Sequence, residues 1–237
     1  MLKNKLIFAG KKLNKKERYK LFIEYFSKTQ PNPKTELHYR NPFELVIAVI
    51  LSAQCTDKRV NLVTPKLFEK FPTPEHLANA SYAEVFEIIK SVSYPNNKSK
   101  HIVEMAKKIV QDYGSVVPKD IKELQKLPGV GRKSANVIAS VIYSQPAMAV
   151  DTHVFRVSKR LGLVSENAKT PLAVEKELVK NIPKKYIPHA HHWLILHGRY
   201  ICLAKKPLCE ICQIKHFCKF IEKNQEKNTS NTDVNEI

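Results

Sequence analysis

Four cysteines crowd the C-terminal end of the chain: Cys202, Cys209, Cys212 and Cys218, with six, two and five residues between them. Four thiols so close together need a common partner. A fifth, Cys55, stands apart in an apolar segment and reads as a buried, inert thiol. An odd and clustered set does not match the distributed framework of a secreted disulfide protein, so a reducing compartment and a metal centre are expected. Cysteine thiolates hold zinc, for which C-x2-C is a frequent half-site, and they equally suit a cubane iron-sulfur cluster. Spacing alone leaves both open.

A second constellation is Leu127-Pro128-Gly129-Val130-Gly131-Arg132-Lys133-Ser134-Ala135-Asn136-Val137. The pattern predicts a helix ending near Lys126 and another beginning at about Arg132, with two glycines supplying backbone conformations closed to other residues. N–H groups at such a turn and helix start point outward and suit a phosphate. The same residues would serve as a connector that binds nothing. No strand precedes the glycines and no third glycine follows at the needed place, which excludes the dinucleotide fingerprint. Further on, Asp151 occupies the N-cap position of a helix predicted to start at Thr152.

The elements that must position these residues are helical. Phe43 to Gln54 is apolar almost all round, as expected of a helix buried on most faces. Amphipathic segments are predicted at Arg18–Phe26, Asn61–Phe71, Tyr82–Val92, Lys98–Tyr113, Ile121–Lys126, Ser134–Tyr143, Asp151–Leu161, Pro171–Ile182 and His189–Cys202, with a short turn at Pro74–Asn79. Proline, asparagine and glycine punctuate them, and no alternating strand of convincing length is present. The expected fold class is all-α.

Composition agrees. At 237 residues with 43% hydrophobic content the chain can bury a sizeable core, and six glycines with 8% aromatics argue against a barrel or sandwich. Lys and Arg number 40 against 22 Asp and Glu, a formal charge of +18, which points to a polyanionic partner. The first twenty residues hold a net +7 and read as a flexible basic arm, whereas 222–237 is Asn-rich at −2 and reads as a disordered tail. The body between them keeps +13. The longest apolar run, Leu45 to Leu51, is far too short to span a bilayer, and Leu6 to Ala9 is too short for a secretory signal.

Leu127 to Val137 resembles the helix-hairpin-helix of the endonuclease III family of DNA glycosylases. Ala149-Val150-Asp151-Thr152-His153-Val154-Phe155-Arg156-Val157 is similar to the segment that bears that family's essential aspartate, and Leu51-Ser52-Ala53-Gln54-Cys55-Thr56-Asp57 to its DNA-facing turn. The 6-2-5 cysteine spacing resembles its cluster loop. The likeness runs from about Phe22 to Phe220. It implies two lobes: a six-helix bundle over 35–147 that contains the hairpin, and a lobe of terminal helices, 21–34 with 148–221, that carries a [4Fe-4S] cluster on Cys202, Cys209, Cys212 and Cys218.

The resemblance also implies roles. Lys133 falls in the first turn after the hairpin, where a helix N-terminus and basic neighbours disfavour its protonated form. It would attack the sugar C1′ of a damaged nucleotide, and Asp151 would stabilise developing charge and assist proton transfer. Gln54 would fill the hole left by the extruded nucleotide. Ser93-Tyr94-Pro95 departs from a family pattern of glycine, leucine and tyrosine, so Tyr94 would wedge by stacking. Gly129, Gly131, His153, Lys205 and Lys206 are expected to face the DNA backbone, with Arg156 structural.

The expected activity is base excision repair: removal of oxidised pyrimidines from double-stranded DNA and cleavage at abasic sites by β-elimination. The expected protein is monomeric, cytoplasmic and nucleoid-associated. Two rivals stand beside this reading. The adenine-removing branch of the superfamily lacks the hairpin lysine and carries a glutamate in the helix corresponding to Phe43–Gln54, where no carboxylate occurs between Leu45 and Cys55. A helix-hairpin-helix module that binds DNA without catalysis would need neither Lys133 nor Asp151.

Overall fold

The computed structural model of the chain describes residues 13–224. Among them it forms the α-helices α1 to α11 and a further helical stretch at 219–224, joined by short loops, and no strand. Among the described residues the backbone divides into two compact units, one of 34–149 and one that combines 13–33 with 150–224. No helix is long and apolar enough to cross a membrane among the described residues.

The first unit is built around α2 (Pro42–Ser52). Asn41 caps it by accepting from the Glu44 N–H at 2.9 Å, and Pro42 occupies the first turn, where a missing N–H costs nothing. Every residue from Phe43 to Leu51 is buried. The one acid among them, Glu44, is tied to Arg40 through the Arg40 main-chain N–H and guanidinium. Fully burying each of the large apolar side chains contributes roughly 1.5–3 kcal/mol, which makes α2 the post around which the unit closes.

Helices α3 (Asp57–Lys70) and α6 (Pro95–Tyr113) pack against it, and α5 (Tyr82–Ile89) packs on α3 and α6. Helix α3 starts earlier than its apolar pattern indicates, because the Thr56 hydroxyl accepts from Arg59 N and Asp57 sits in the first turn. Pro74–Ala78, expected as a turn, is a short helix, α4, capped by Thr73 and packed on α6. Helices α7 (Ile121–Leu124) and α8 (Arg132–Tyr143) complete the unit.

The second unit contains α1 (Lys15–Thr29), α9 (Thr152–Leu161), α10 (Pro171–Asn181) and α11 (Ile187–Tyr200), followed by the cysteine loop and a helical stretch at 219–224. Its core is aromatic: Phe22 and Phe26 pack on Trp193, whose indole N–H donates to the Gln30 carbonyl at 2.8 Å. The flexible basic arm expected over 1–20 is corrected here at its C-terminal end. Asn14 and Glu17 form a capping box, so 15–20 are helical, and Arg18 and Tyr19 are buried. The disordered tail expected over 222–237 is likewise corrected at its start, since 222–224 are helical and Glu222 accepts from Arg18; residues 1–12 of the arm and 225–237 of the tail lie outside the described residues.

Candidate active site and cysteine loop

The hairpin is anchored from beneath by Leu127 and Val130, both buried. Gly129 has a φ of +80°, and a Cβ there would meet His101 Cβ at 3.0 Å and Ile50 Cγ2 at 3.2 Å. Both its conformation and its surroundings therefore demand glycine. Gly131 differs: φ is −83°, open to any residue, and a Cβ there would meet no atom within 4 Å. Gly131 caps α8 without a side chain, which leaves the first-turn N–H groups facing outward. Lys133, the second residue of α8, is exposed beside them. The helix is fixed by buried Asn136, which donates to the Met148 carbonyl at 3.1 Å.

In the same unit, Gln54 and Tyr94 both have left-handed backbone, with φ of 53° and 56°, and both side chains are exposed. The Ser93 hydroxyl donates to the Gln54 carbonyl, which brings the two turns together.

In the other unit, Asp151 caps α9: its Oδ1 accepts from Val154 N at 2.8 Å. The second carboxylate oxygen is not needed for that bond, so capping leaves it available for chemistry. His153 Nδ1 lies 3.2 Å from Arg156 Nη2. A guanidinium can only donate, so Nδ1 accepts and the ring proton belongs on Nε2. Gly198 provides the notch for His153, since a Cβ there would stand 2.9 Å from His153 Cβ. Arg156 also donates to the Gly198 and Cys202 carbonyls at 2.9 and 3.1 Å, joining α9 to α11 and to the start of the cysteine loop.

Arg160, one turn beyond Arg156, does the same for the rest of the loop, and no sequence pattern marked it. Its guanidinium donates to Leu203 O at 2.6 Å and Ala204 O at 2.8 Å, and stands 3.4 Å from Cys202 Sγ. Lys205 and Lys206 follow directly and are exposed. The only available signal was the four-residue spacing of two arginines on one helix face. Arg18, in the stretch expected to be flexible, donates to the Phe217 carbonyl and to Glu222.

Cys202, Cys209, Cys212 and Cys218 line a single cleft with Arg160 and His197 on its wall. Four cysteine thiols on one lining are a donor set that suits a cubane, which interposes its own iron and sulfide atoms. Burial pushes the Cys218 thiol up to about 11 and raises Cys209 and Cys212 too, so ligation must release protons.

Residues 47–184 match the model of the HhH-GPD superfamily of base excision DNA repair proteins, and 202–218 match the iron-sulfur binding domain of endonuclease III. The helical fold and the capless hairpin thus define a helix-hairpin-helix DNA repair protein. Endonuclease III of Rickettsia felis is 53% identical over 198 residues, covering 84% of this chain and 92% of that protein. The Bacillus subtilis protein is 48% identical over 197 residues, covering 83% and 90%. A trapped covalent intermediate of endonuclease III with DNA superposes with a TM-score of 0.83 at 44% identity, covering 90% of this chain and all of that one.

The chain belongs to the endonuclease III family. It is a base-excision-repair DNA glycosylase and abasic-site lyase that binds DNA and carries a [4Fe-4S] cluster.

Proposed function

We propose that Lys133 is the nucleophile and Asp151 its proton-transfer partner in removing oxidised pyrimidines from double-stranded DNA, followed by cleavage of the resulting abasic strand. The observation that carries this reading is the place of Lys133: exposed, in the first turn of α8, beside N–H groups that no side chain caps. Those groups hold a phosphate, and the amine next to them reaches the sugar that the phosphate bears.

The Lys133 Nζ lone pair attacks C1′, and the bond from C1′ to the base breaks. The base leaves with the electron pair and takes up a proton. Loss of a proton from nitrogen and opening of the sugar ring give an imine between Nζ and C1′. The imine acidifies C2′; removal of a C2′ proton forms the C1′–C2′ enamine, and its electrons expel the oxygen on C3′, breaking the strand there. Asp151 accepts and returns the protons of these steps, while its capping oxygen keeps the carboxylate oriented. The acid on α2, Glu44, is committed to Arg40, so the adenine-removing chemistry has no carboxylate on that helix to use.

Gln54 and Tyr94 enter the base stack when the nucleotide is extruded. The phosphate backbone is held by Gly129 and Gly131 at the hairpin, and by His153, Lys205 and Lys206 in the other unit. Cys202, Cys209, Cys212 and Cys218 ligate the cluster. When bound, the cluster supplies structure to the basic loop rather than a redox step. The protein works as a monomer at the nucleoid.

Borohydride reduction tests the central step. It should trap a covalent adduct between the protein and a duplex bearing an abasic site or thymine glycol, and Lys133→Gln should abolish it. Failure of the unmodified protein to trap, or undiminished trapping by the variant, removes Lys133 from its role.

A further inference from the structure

Gln54 and Tyr94 hold backbone conformations that side chains other than glycine rarely adopt. Such conformations persist only where neighbours over-determine them. Two neighbours do so here, and both lie within four residues of Tyr94 in sequence. The Ser93 hydroxyl donates to the Gln54 carbonyl. The Lys98 ammonium donates to the carbonyls of Leu51 and Ala53, each at 2.7 Å, at the end of α2 immediately before Gln54.

Lys98 is an unusual choice for a structural role. Only 5% of it is exposed, and its ammonium meets main-chain carbonyls rather than a carboxylate. Burial lowers its pKa, with the nearby Cys55 acting in the opposite direction. Near the start of α6 the cation also faces the positive end of its own helix. Its compensation lies at the end of α2, where carbonyls without partners in the helix gather. The lysine is therefore stabilised by the contact that fixes the Gln54 turn.

We propose that Ser93 and Lys98 are positioning residues that clamp the Gln54 turn to the Tyr94 turn, so that two exposed side chains meet duplex DNA as one rigid, two-pronged tip. The proposal rests on the reading above in which Gln54 and Tyr94 enter the base stack. A preformed tip holds the vacated space in the duplex without first having to be ordered. Glycine, which the family pattern has in place of Ser93, has no side chain to make the tie. The Ser93 tie is thus a feature of this chain's own sequence, and it accompanies the replacement of the leucine prong by the larger ring of Tyr94.

Lys98→Met would leave two carbonyls bare and could unfold the turn, so Ser93→Ala carries the test, with Ser93→Thr as the variant that keeps the hydroxyl. The full chain with its cluster is used throughout. Three quantities are read: hydrogen exchange of the 51–56 amides in the free protein, the fluorescence of 2-aminopurine placed beside a thymine glycol in a duplex, and single-turnover excision. Borohydride trapping on a single-stranded abasic oligonucleotide, which needs no extrusion, serves as reference. Ser93→Ala should speed the exchange, reduce the 2-aminopurine signal and slow duplex excision by about tenfold, with single-strand trapping kept within about twofold. Ser93→Thr should restore all three.

Unchanged exchange or unchanged duplex excision in Ser93→Ala overturns the proposal, as does an equal loss on single strand and duplex. Gln54→Ala, measured alongside, separates the two levels. If it too leaves the 2-aminopurine signal intact, the wedge reading fails and the proposal with it. A signal lost in Gln54→Ala but kept in Ser93→Ala overturns the clamp alone.

Discussion

The side chain of His101 lies against Gly129, so close that a methyl group on the glycine would stand 3.0 Å from His101 Cβ. The neighbouring hairpin glycine, Gly131, has open space at the same place. The two glycines of one motif are therefore needed for different reasons, and alanine substitution should separate them. Gly129→Ala combines a left-handed backbone, costing on the order of 1–2 kcal/mol, with the clash. Its melting temperature should fall by roughly 5 °C.

Gly131→Ala should leave that temperature within about 2 °C of the parent, since its φ suits any residue and nothing in the protein opposes the methyl. It should instead weaken duplex binding by about tenfold, irrespective of sequence, because the methyl stands where a phosphate would approach the α8 N–H groups. Binding equal to the parent protein would remove the hairpin from the interface.

Asp151 has a capping duty and a chemical one, and asparagine retains only the first. Asn caps about as well as Asp, so Asp151→Asn should melt within about 2 °C of the parent while single-turnover excision falls by at least about a hundredfold. Asp151→Ala should lose about 1 kcal/mol of stability as well. Full activity in the asparagine variant would leave Asp151 as a cap and nothing more.

Arg160→Gln should loosen the cysteine loop, because the Leu203 and Ala204 carbonyls lose their donors. The visible iron-sulfur absorbance should then decay faster in air. DNA affinity should show a shallower salt dependence, by about one to two units of slope, as Lys205 and Lys206 lose their fixed position. Lysine should not rescue, since a single ammonium cannot reproduce the guanidinium fork. Unaltered cluster lifetime would mean that the loop holds its shape without Arg160.

Burial lowers the imidazole pKa of His192, with the Pro188 carbonyl 3.0 Å from its Nδ1 acting in the opposite direction. The unfolded chain therefore binds more protons as the pH falls through the ordinary histidine range, so stability present above that range is lost in acid. His192→Gln should flatten the decline of melting temperature over that window. An undiminished decline would assign the acid sensitivity to other groups.

Features that announce themselves locally were legible in the sequence. Helix α2 is apolar on every face, two glycines punctuate the hairpin, and Asp151 precedes a helix it can cap. What escaped depends on partners far along the chain. A buried Arg18 looks like any other member of a lysine-rich run, because the Phe217 carbonyl that satisfies it is 199 positions away. Arg160 carries no mark of its bonds to a loop more than forty residues on. Helix α4 has five residues, too few for periodicity to distinguish it from a turn. The Ser93 tie was hidden for a further reason: set against the family pattern, the serine is visible only as a departure, and its partner is a main-chain carbonyl that every residue possesses.

The unit that carries the cysteines is made from two stretches that lie on either side of 34–149, and this sets an order on its birth. Helix α1 leaves the ribosome before the rest of its unit, and Trp193, which covers Phe22 and Phe26, follows more than 160 residues later. Residues 34–149 emerge meanwhile with all they need to close their own core. During that interval the early helix must wait with its aromatic face bare, protected by its own capping box and its lysines. Cys218 emerges after every helix from α1 to α11 has been made. A nascent chain interrupted before that point can present a finished hairpin and Lys133, but it has no complete set of thiols with which to receive iron.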